Sequence, residues 1–245
     1  MADILEHLQE IRKRIERACS ASGRAPEEVR LLLATKTVPP ARIKIALQEG
    51  QRLIAENRVQ EIREKHAALK AVPHESHFIG HLQSNKIKEL LKYDISCIQS
   101  VDRLELAEKL HQRLLLEQRT MEVLIQVNTS NEDSKFGIGP DAALELVKAV
   151  AGLGSIKIKG LMTIGLFSAD TGKVRGCFRL LKEIRDQIAA AAIPGVEMKA
   201  LSMGMSGDLE TAIEEGATIV RVGTAIFGKR RYPDSYYWNE QTPDA

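Results

Sequence analysis

The chain has few features that would mark a secreted, metal-binding or nucleic-acid-binding protein. Its three cysteines, Cys19, Cys97 and Cys177, are scattered and form neither a CxxC pair nor a Cys/His cluster. This spacing argues against a disulfide framework and predicts no metal site. Lys and Arg number 35 against 33 Asp and Glu, and a net charge of +2 is too small to favour nucleic acid or an anionic membrane as a partner.

Long hydrophobic runs are also lacking. No stretch approaches the roughly 18 apolar residues that a membrane span needs, and residues 1–21 mix acids and bases with no apolar core of a signal peptide. A cytoplasmic protein is therefore expected. An N-terminal helix over about residues 3–21 is predicted instead, because apolar residues recur at helical spacing along one face: Ile4, Leu8, Ile11, Ile15 and Ala18.

Between about residues 30 and 230, eight short apolar runs alternate with helical patterns. The runs are Leu31–Thr35, Arg52–Glu56, His77–Ile79, Cys97–Val101, Val123–Val127, Ile156–Met162, Leu201–Met203 and Ile219–Val222. Such alternation predicts parallel strands joined by helical crossovers. We expect an α/β fold, a single (β/α)8 barrel of the TIM type forming one domain over residues 1–245. A doubly wound open sheet is the alternative if one strand is miscounted.

The region after the eighth run departs from the repeat. No convincing helix is predicted there, and the tail is polar and aromatic, with Tyr232, Tyr236, Tyr237 and Trp238. The N-terminal helix is expected to cover the gap that a final helix would fill.

Polar residues at the ends of the runs are the candidates for function, because barrel enzymes build their sites from the loops that follow the strands. Lys36 directly follows the first run. A solvated surface lysine is the ordinary interpretation; a partly enclosed amine that attacks aldehydes is the functional one. Lys157 and Lys159 lie at the entering end of their strand and are weaker candidates.

A second candidate lies in the loops after runs seven and eight, where barrels often bind phosphate. Glycine backbone and hydroxyl groups there could donate to an anion, from Ser206, Gly207, Gly223 and Thr224. The alternative is that Ser206 or Asp208 only caps the following helix.

Asn57, His81 and Arg221 also end strands but are individually weak signals. A histidine in such a place is more often structural, and Arg221 could form an ion pair at the barrel end. Their convergence with Lys36 on one face of the barrel is what favours a site.

Six longer motifs resemble the YggS/PROSC family of pyridoxal 5'-phosphate (PLP) homeostasis proteins. They are Ala34–Pro39, Glu56–Glu61, His77–Lys86, Gln99–Asp102, Ser202–Ser206 and Arg221–Gly228. That family resembles the barrel domain of alanine racemase, the type III fold of PLP enzymes.

The resemblance implies a role for each candidate residue. Lys36 would carry PLP as a Schiff base, Ser206 with the backbone of Gly223 and Thr224 would hold its phosphate, and Arg221 would face the pyridine nitrogen. Asn57 would line the pocket near the ring, and His81 belongs to a motif near the mouth. Two departures from the family pattern are Ala55, often glycine, and Phe136, where a small residue is common.

Two functions compete for such a site. The resemblance implies PLP homeostasis, by buffering the cofactor or delivering it to PLP-dependent apo-enzymes. We also expect a monomer without efficient catalysis. The alternative is an amino-acid racemase or related type III enzyme. That reading needs a second acid/base, which alanine racemase takes from an additional domain, and the chain ends about 17 residues beyond the predicted barrel. A Schiff-base aldolase would explain Lys36 but not the motifs.

Overall fold

The structure, a computed structural model, describes residues 2–132 and 134–228. Eight parallel strands pair in sequence order and close into a barrel, with the last strand beside the first. The strands are β1 (Arg30–Ala34), β2 (Leu53–Glu56), β3 (Glu75–Phe78), β4 (Ile95–Val101), β5 (Met121–Gln126), β6 (Ile156–Met162), β7 (Ala200–Ser202) and β8 (Ile219–Val222). The predicted (β/α)8 barrel is confirmed, and the open sheet is excluded.

Helices surround the barrel, and the N-terminal one agrees with the predicted helix within a residue. They are α1 (Ala2–Ala21), α2 (Pro40–Gln48), α3 (Val59–Leu69), α4 (Ile87–Leu90), α5 (Leu104–Leu116), α6 (Ala143–Ala151), α7 (Thr171–Ala190), α8 (Leu209–Glu214) and α9 (Thr224–Phe227). Short 3₁₀ turns at Pro26–Glu28, Ser84–Lys86 and Pro140–Ala142 precede β1, α4 and α6.

Alternation along each strand divides the apolar core into an outer layer and a barrel interior. The outer layer, between strands and helices, is one large cluster that includes Leu33, Ile54 and Phe78. The interior holds two small clusters, one formed by Leu32, Leu53, Ala55 and Ile219 and the other by Cys97, Leu124 and Met162. The clusters indicate which residues of each strand face inward.

Helix α7 begins before its apolar face does. It starts at Thr171, whereas its first buried residue is Val174. The side chain of Asp170 accepts hydrogen bonds from the N–H groups of Gly172 and Lys173, so it caps a first turn that has no apolar residue.

The expectation of no helix after β8 is wrong, because the one-turn helix α9 follows it. The carbonyl of Gly223 accepts the N–H groups of Ile226 and Phe227, which closes this turn. Helix α1 packs against α2, α8 and α9, as expected of a helix that covers the gap. Its buried face is the predicted one, running from Ile4 to Ala18. The tail residues Tyr232, Tyr236, Tyr237 and Trp238 lie outside the described residues.

Candidate functional site

Three of the candidate residues belong to neighbouring strands at the carboxyl-terminal end of the barrel. Strand β1 lies between β8 and β2. Side chains two residues apart on a strand point to the same face. Ile219 and Ala55 belong to the barrel interior, so Arg221 and Asn57, two positions further along, also face inward. Lys36 continues the same series from Leu32, in the turn just after β1, and is half-buried. These three residues therefore surround one part of the mouth.

Beneath Lys36, between the barrel wall and α3, lies a buried cluster of charges formed by Glu56, Glu61 and Lys65, which we call the triad. The Lys65 amine contacts Oε1 of Glu56 at 2.8 Å and Oε2 of Glu61 at 2.5 Å, and it donates to the carbonyl of Thr35 at 2.8 Å. The hydroxyl of Thr35 donates to the same oxygen of Glu56 at 2.5 Å. On the other side of Lys36, the N–H of Thr37 donates to Glu61 at 2.6 Å.

Two carboxylates share one ammonium group in the triad, and the pKa values of Glu56 and Lys65 are both shifted. Burial raises the pKa of Glu56 to about 7; the carboxylate of Glu61 adds to the rise, and Lys65 opposes it. Burial alone would lower the pKa of Lys65, but the two carboxylates outweigh it and raise that pKa. Lys65 is therefore charged and balanced by Glu61, while Glu56 holds a proton more readily than an exposed glutamate.

Arg221 lies inside the barrel and is held by neutral oxygen atoms. Its guanidinium donates to Oγ of Ser202 at 2.9 Å and to the carbonyl of Thr163 at 2.7 Å. Burial lowers the pKa of Arg221 to about 10, a change that nearby Asp208 opposes, so the group stays charged at neutral pH. Among the described residues no carboxylate comes within ion-pair distance of Arg221. The alternative of an ion pair at the barrel end is thus wrong.

A chain of hydrogen bonds continues from Arg221 through the barrel interior. Oγ of Ser202 donates to Oε1 of Gln99 at 2.6 Å, Nε2 of Gln99 lies 2.7 Å from Nδ1 of His77, and Nε2 of His77 lies 2.7 Å from Oε1 of Glu75. An amide oxygen only accepts and an amide nitrogen only donates, so Ser202 donates to Gln99 and Gln99 donates to His77. His77 therefore accepts at Nδ1 and donates from Nε2 to Glu75. We call these side chains the interior chain.

The loops after β7 and β8 bring two of the predicted phosphate-binding hydroxyls together. Oγ1 of Thr224 lies 3.5 Å from Oγ of Ser206, at the outer limit of a hydrogen bond. Gly223 is buried and Thr224 is exposed. Asp208 precedes α8, but its carboxylate accepts the N–H of Met205 at 2.5 Å and makes no capping bond to the helix. Side-chain capping of α8 by Asp208, one half of the alternative interpretation, is therefore wrong.

Close packing between β2 and β3 explains a glycine in the His77–Lys86 motif. A side-chain carbon added at Gly80 would lie 1.9 Å from the backbone oxygen of Asn57, so only glycine fits there. The N–H of Ile79 donates to the carbonyl of Glu56 at 2.9 Å in the same region. The backbone of Asn57 is thus fixed by the end of β3.

His81 lies in a separate group of contacts, with a loop residue stacked on it. Its ring is 3.9 Å from that of Phe136, centroid to centroid, and the two planes are 16° apart. Nδ1 of His81 lies 3.6 Å from Oδ2 of Asp102. Burial would raise the pKa of Asp102, but His81 and Arg103 outweigh it and lower that pKa. Phe136, noted in the sequence only as a departure from the family, therefore belongs to the surroundings of a candidate residue.

Five side chains around the candidate site were not predicted from the sequence to have a role. They are Glu61, Lys65, Thr163, Ser202 and Gln99. Ser202 and Gln99 could have been found, because polar residues in the inward-facing series of a buried strand need partners. Lys65 had no such signal, since a lysine on a helix normally faces solvent.

Other kinds of site find no support in the part of the chain that the structure describes. That part contains no group of three or more His, Cys, Asp or Glu side chains placed to hold a metal ion. Its three cysteines are buried and unlinked, and none of its helices is long and apolar enough to cross a membrane. Lys157 and Lys159 lie in the first half of β6, and Lys159 pairs with Glu197 and Glu122 away from the mouth.

Comparisons with known proteins agree on one family. Residues 7–231 match the model of the alanine racemase N-terminal domain. The pyridoxal phosphate homeostasis protein of Aquifex aeolicus is 43% identical over 93% of this chain and 98% of its own length. A solved protein of unknown function from Bifidobacterium adolescentis is 40% identical, with a TM-score of 0.87 over 92% of this chain and 95% of that one.

Two further solved structures are similar to this chain, and one of them was solved with PLP bound. PipY of Synechococcus elongatus, solved with PLP bound, is 32% identical, with a TM-score of 0.76 over 88% of this chain and 100% of that one. Alanine racemase of Clostridium difficile, 13% identical, has a TM-score of 0.76 over 96% of this chain and 58% of its own, and shares the type III barrel fold alone. The chain belongs to the family of pyridoxal phosphate homeostasis proteins, on the alanine racemase N-terminal fold.

Proposed function

We propose that this protein binds PLP at the carboxyl-terminal mouth of the barrel, with Lys36 as the residue that reacts with its aldehyde, and serves PLP homeostasis without efficient catalysis. The observation that carries the proposal is that two residues follow or end neighbouring strands at the same mouth: the half-buried Lys36 after β1 and the buried, charged Arg221 on β8. The curated relative from Aquifex aeolicus is named for this role, and PipY has been solved with PLP bound.

The donor groups at the mouth fit the parts of PLP. Its aldehyde needs an amine, which Lys36 supplies. Its phosphate needs several donors, and the neighbouring hydroxyls of Ser206 and Thr224 with the backbone of Gly223 offer them. Asn57 would line the side of the ring, and His81 would stand at the rim with Phe136 against it.

Arg221 would donate to the pyridine nitrogen, and its charge argues against strong catalysis. PLP, when bound, supplies an aldehyde that reacts with amines and a ring that accepts electrons, most strongly when its nitrogen is protonated. A guanidinium with a pKa of about 10 keeps its own proton at neutral pH. It therefore donates a hydrogen bond without transferring a proton, which leaves the ring a weak electron acceptor.

The racemase alternative needs a second acid/base opposite Lys36. His81 is the candidate among the described residues, but it stacks on Phe136 and faces Asp102. The ring is covered by Phe136, and the carboxylate of Asp102 lies 3.6 Å from Nδ1. We propose further that the protein works as a cytoplasmic monomer that buffers PLP or passes it to PLP-dependent apo-enzymes.

Borohydride reduction of the PLP-loaded protein, followed by peptide mapping, tests the assignment of Lys36. The pyridoxyl group should be found on Lys36, and Lys36→Ala should abolish the label while retaining part of the affinity. Pyridoxal, which lacks the phosphate, should bind far more weakly than PLP. A label chiefly on another lysine would contradict the site.

The loaded protein should also be incubated with L- and D-amino acids while enantiomer ratio and keto-acid formation are followed. Only trace activity is expected. Turnover near the usual enzyme range of about 1–10³ per second, abolished by Lys36→Ala, would replace the homeostasis proposal with the racemase alternative.

A further inference from the structure

The backbone next to Lys36 has an unusual conformation. Thr37 has a φ of 64°, in the left-handed region that disfavours side chains and especially β-branched ones. A threonine persists there only if its surroundings hold it in place. The contact that does so is the hydrogen bond from its N–H to Glu61 at 2.6 Å.

The triad in fact holds both peptide planes that flank the Cα of Lys36. The carbonyl of Thr35 belongs to the plane before it and accepts from Lys65 at 2.8 Å. The N–H of Thr37 belongs to the plane after it and donates to Glu61. Lys65 and Glu61 are themselves joined at 2.5 Å. Because φ and ψ of a residue are defined by its two peptide planes, the triad restricts the backbone of Lys36 and so the direction of its side chain.

A role in stability alone is a poor account of these charges. Burying an ion cluster costs desolvation that its attraction only partly offsets, and apolar residues of similar volume usually stabilise a fold as well or better. Lys65 and Glu56 are both buried, and Oε2 of Glu56 accepts no hydrogen bond. What the charges supply that apolar residues cannot is a set of directed bonds to Thr35 and Thr37.

We propose that Glu56, Glu61 and Lys65 are positioning residues that hold Lys36 in the geometry in which its amine meets a PLP aldehyde. Glu61 stabilises the left-handed Thr37, Lys65 fixes the carbonyl of Thr35, and Glu56 holds Lys65 and the Thr35 hydroxyl. The triad touches neither PLP nor the amine in this scheme. The inference rests on the proposed function, since it assumes that Lys36 is the reacting lysine.

The test separates capture by Lys36 from binding at the mouth. Capture is the rate at which PLP becomes attached in a form that borohydride fixes on Lys36. Binding is measured with pyridoxine 5'-phosphate, which carries the ring and phosphate but no aldehyde. Glu61→Leu should slow capture by about tenfold to a hundredfold, the cost of misplacing a reacting group by about 1 Å. Its affinity for pyridoxine 5'-phosphate should stay within about twofold of the wild type, well below a tenfold change.

A second substitution should restore the capture rate, which would not happen if Glu61 only stabilised the fold. Glycine adopts positive φ without strain, so Thr37→Gly in the Glu61→Leu background should recover most of the lost capture rate. Amide hydrogen exchange at residue 37 of the PLP-free protein should be faster in Glu61→Leu than in the wild type. Glu215→Leu is the matched control. It removes a buried glutamate bound by Arg175 and Arg179 far from the mouth, and it should lower Tm without changing capture.

Three results would overturn the inference: unchanged capture in Glu61→Leu, an equal loss of capture and of pyridoxine 5'-phosphate binding, or no rescue by Thr37→Gly. If Glu61→Leu does not fold, Glu61→Ala, which also removes the acceptor of the Thr37 N–H, takes its place with the same criteria. A wild-type protein that captures PLP on a different lysine would contradict the proposed function itself, whatever the variants do.

Discussion

Lys36 and Arg221 end neighbouring strands at the same end of the barrel, yet the groups beneath them differ in charge and in layer. The triad under Lys36 lies outside the barrel wall, between β2 and α3, and consists of charged side chains. The interior chain next to Arg221 lies inside the barrel, and its nearest members are the uncharged Ser202 and Gln99. Lys36 and Arg221 are thus supported in opposite ways.

The difference corresponds to what Lys36 and Arg221 each have to do in the proposed function. Lys36 must react, so its side chain must stay mobile while its backbone is fixed, and the triad bonds to backbone and neighbouring residues. Arg221 must keep its charge and donate, and neutral acceptors fix a guanidinium without competing for its proton. The triad therefore fixes the backbone of Lys36, whereas the interior chain orients the guanidinium of Arg221 without changing its charge.

The largest expected effect comes from removing the one cation of the triad. Lys65→Met leaves Glu56 and Glu61 buried without their partner, and breaking a buried ion cluster in this way costs about 3–5 kcal/mol of unfolding free energy. Urea denaturation at pH 7 measures the loss. Replacing all three members, with Glu56→Leu and Glu61→Leu added, should return much of the stability but not the capture rate. A loss under about 1 kcal/mol in Lys65→Met would mean that the triad is as weakly coupled as a surface pair.

The contrast between the two networks also marks what the sequence could and could not predict. The eight strands were predictable because short apolar runs and helical periods alternate clearly. Lys36 and Arg221 could be chosen because the barrel rule selects polar residues at strand ends. The triad could not be found, since Lys65 and Glu61 occur on an amphipathic helix where such residues usually face water. The stack of Phe136 on His81 depends on a loop conformation for which the sequence carries no periodic signal.

A smaller effect is expected from breaking the interior chain. Ser202→Ala removes the acceptor of Arg221 and the donor to Gln99, and each buried group left without a partner costs about 1–3 kcal/mol. Affinities for both PLP and pyridoxine 5'-phosphate should fall, because Arg221 loses one of its two fixed contacts. Ser155→Ala is the matched control: it deletes a buried hydroxyl bound to His111, far from the mouth, and should leave both affinities unchanged. A selective loss of capture in Ser202→Ala would remove the distinction between the networks.

The smallest effect distinguishes the networks by pH. Burial raises the pKa of Glu56 from its ordinary value of 4.5 to about 7. Between these values the folded protein holds a proton that the unfolded chain releases, so the unfolding free energy falls as pH rises through this window and levels off above it. One such group contributes a slope of at most about 1.4 kcal/mol per pH unit. Glu56→Gln carries no titrating group and should lose this part of the slope, measured by urea denaturation between pH 5 and pH 7. Ser202→Ala removes no titrating group and should keep the wild-type slope at lower stability. The same slope in Glu56→Gln as in the wild type would show that the pKa of Glu56 is not raised in the folded protein, and the triad would then hold two ionised carboxylates on one ammonium group.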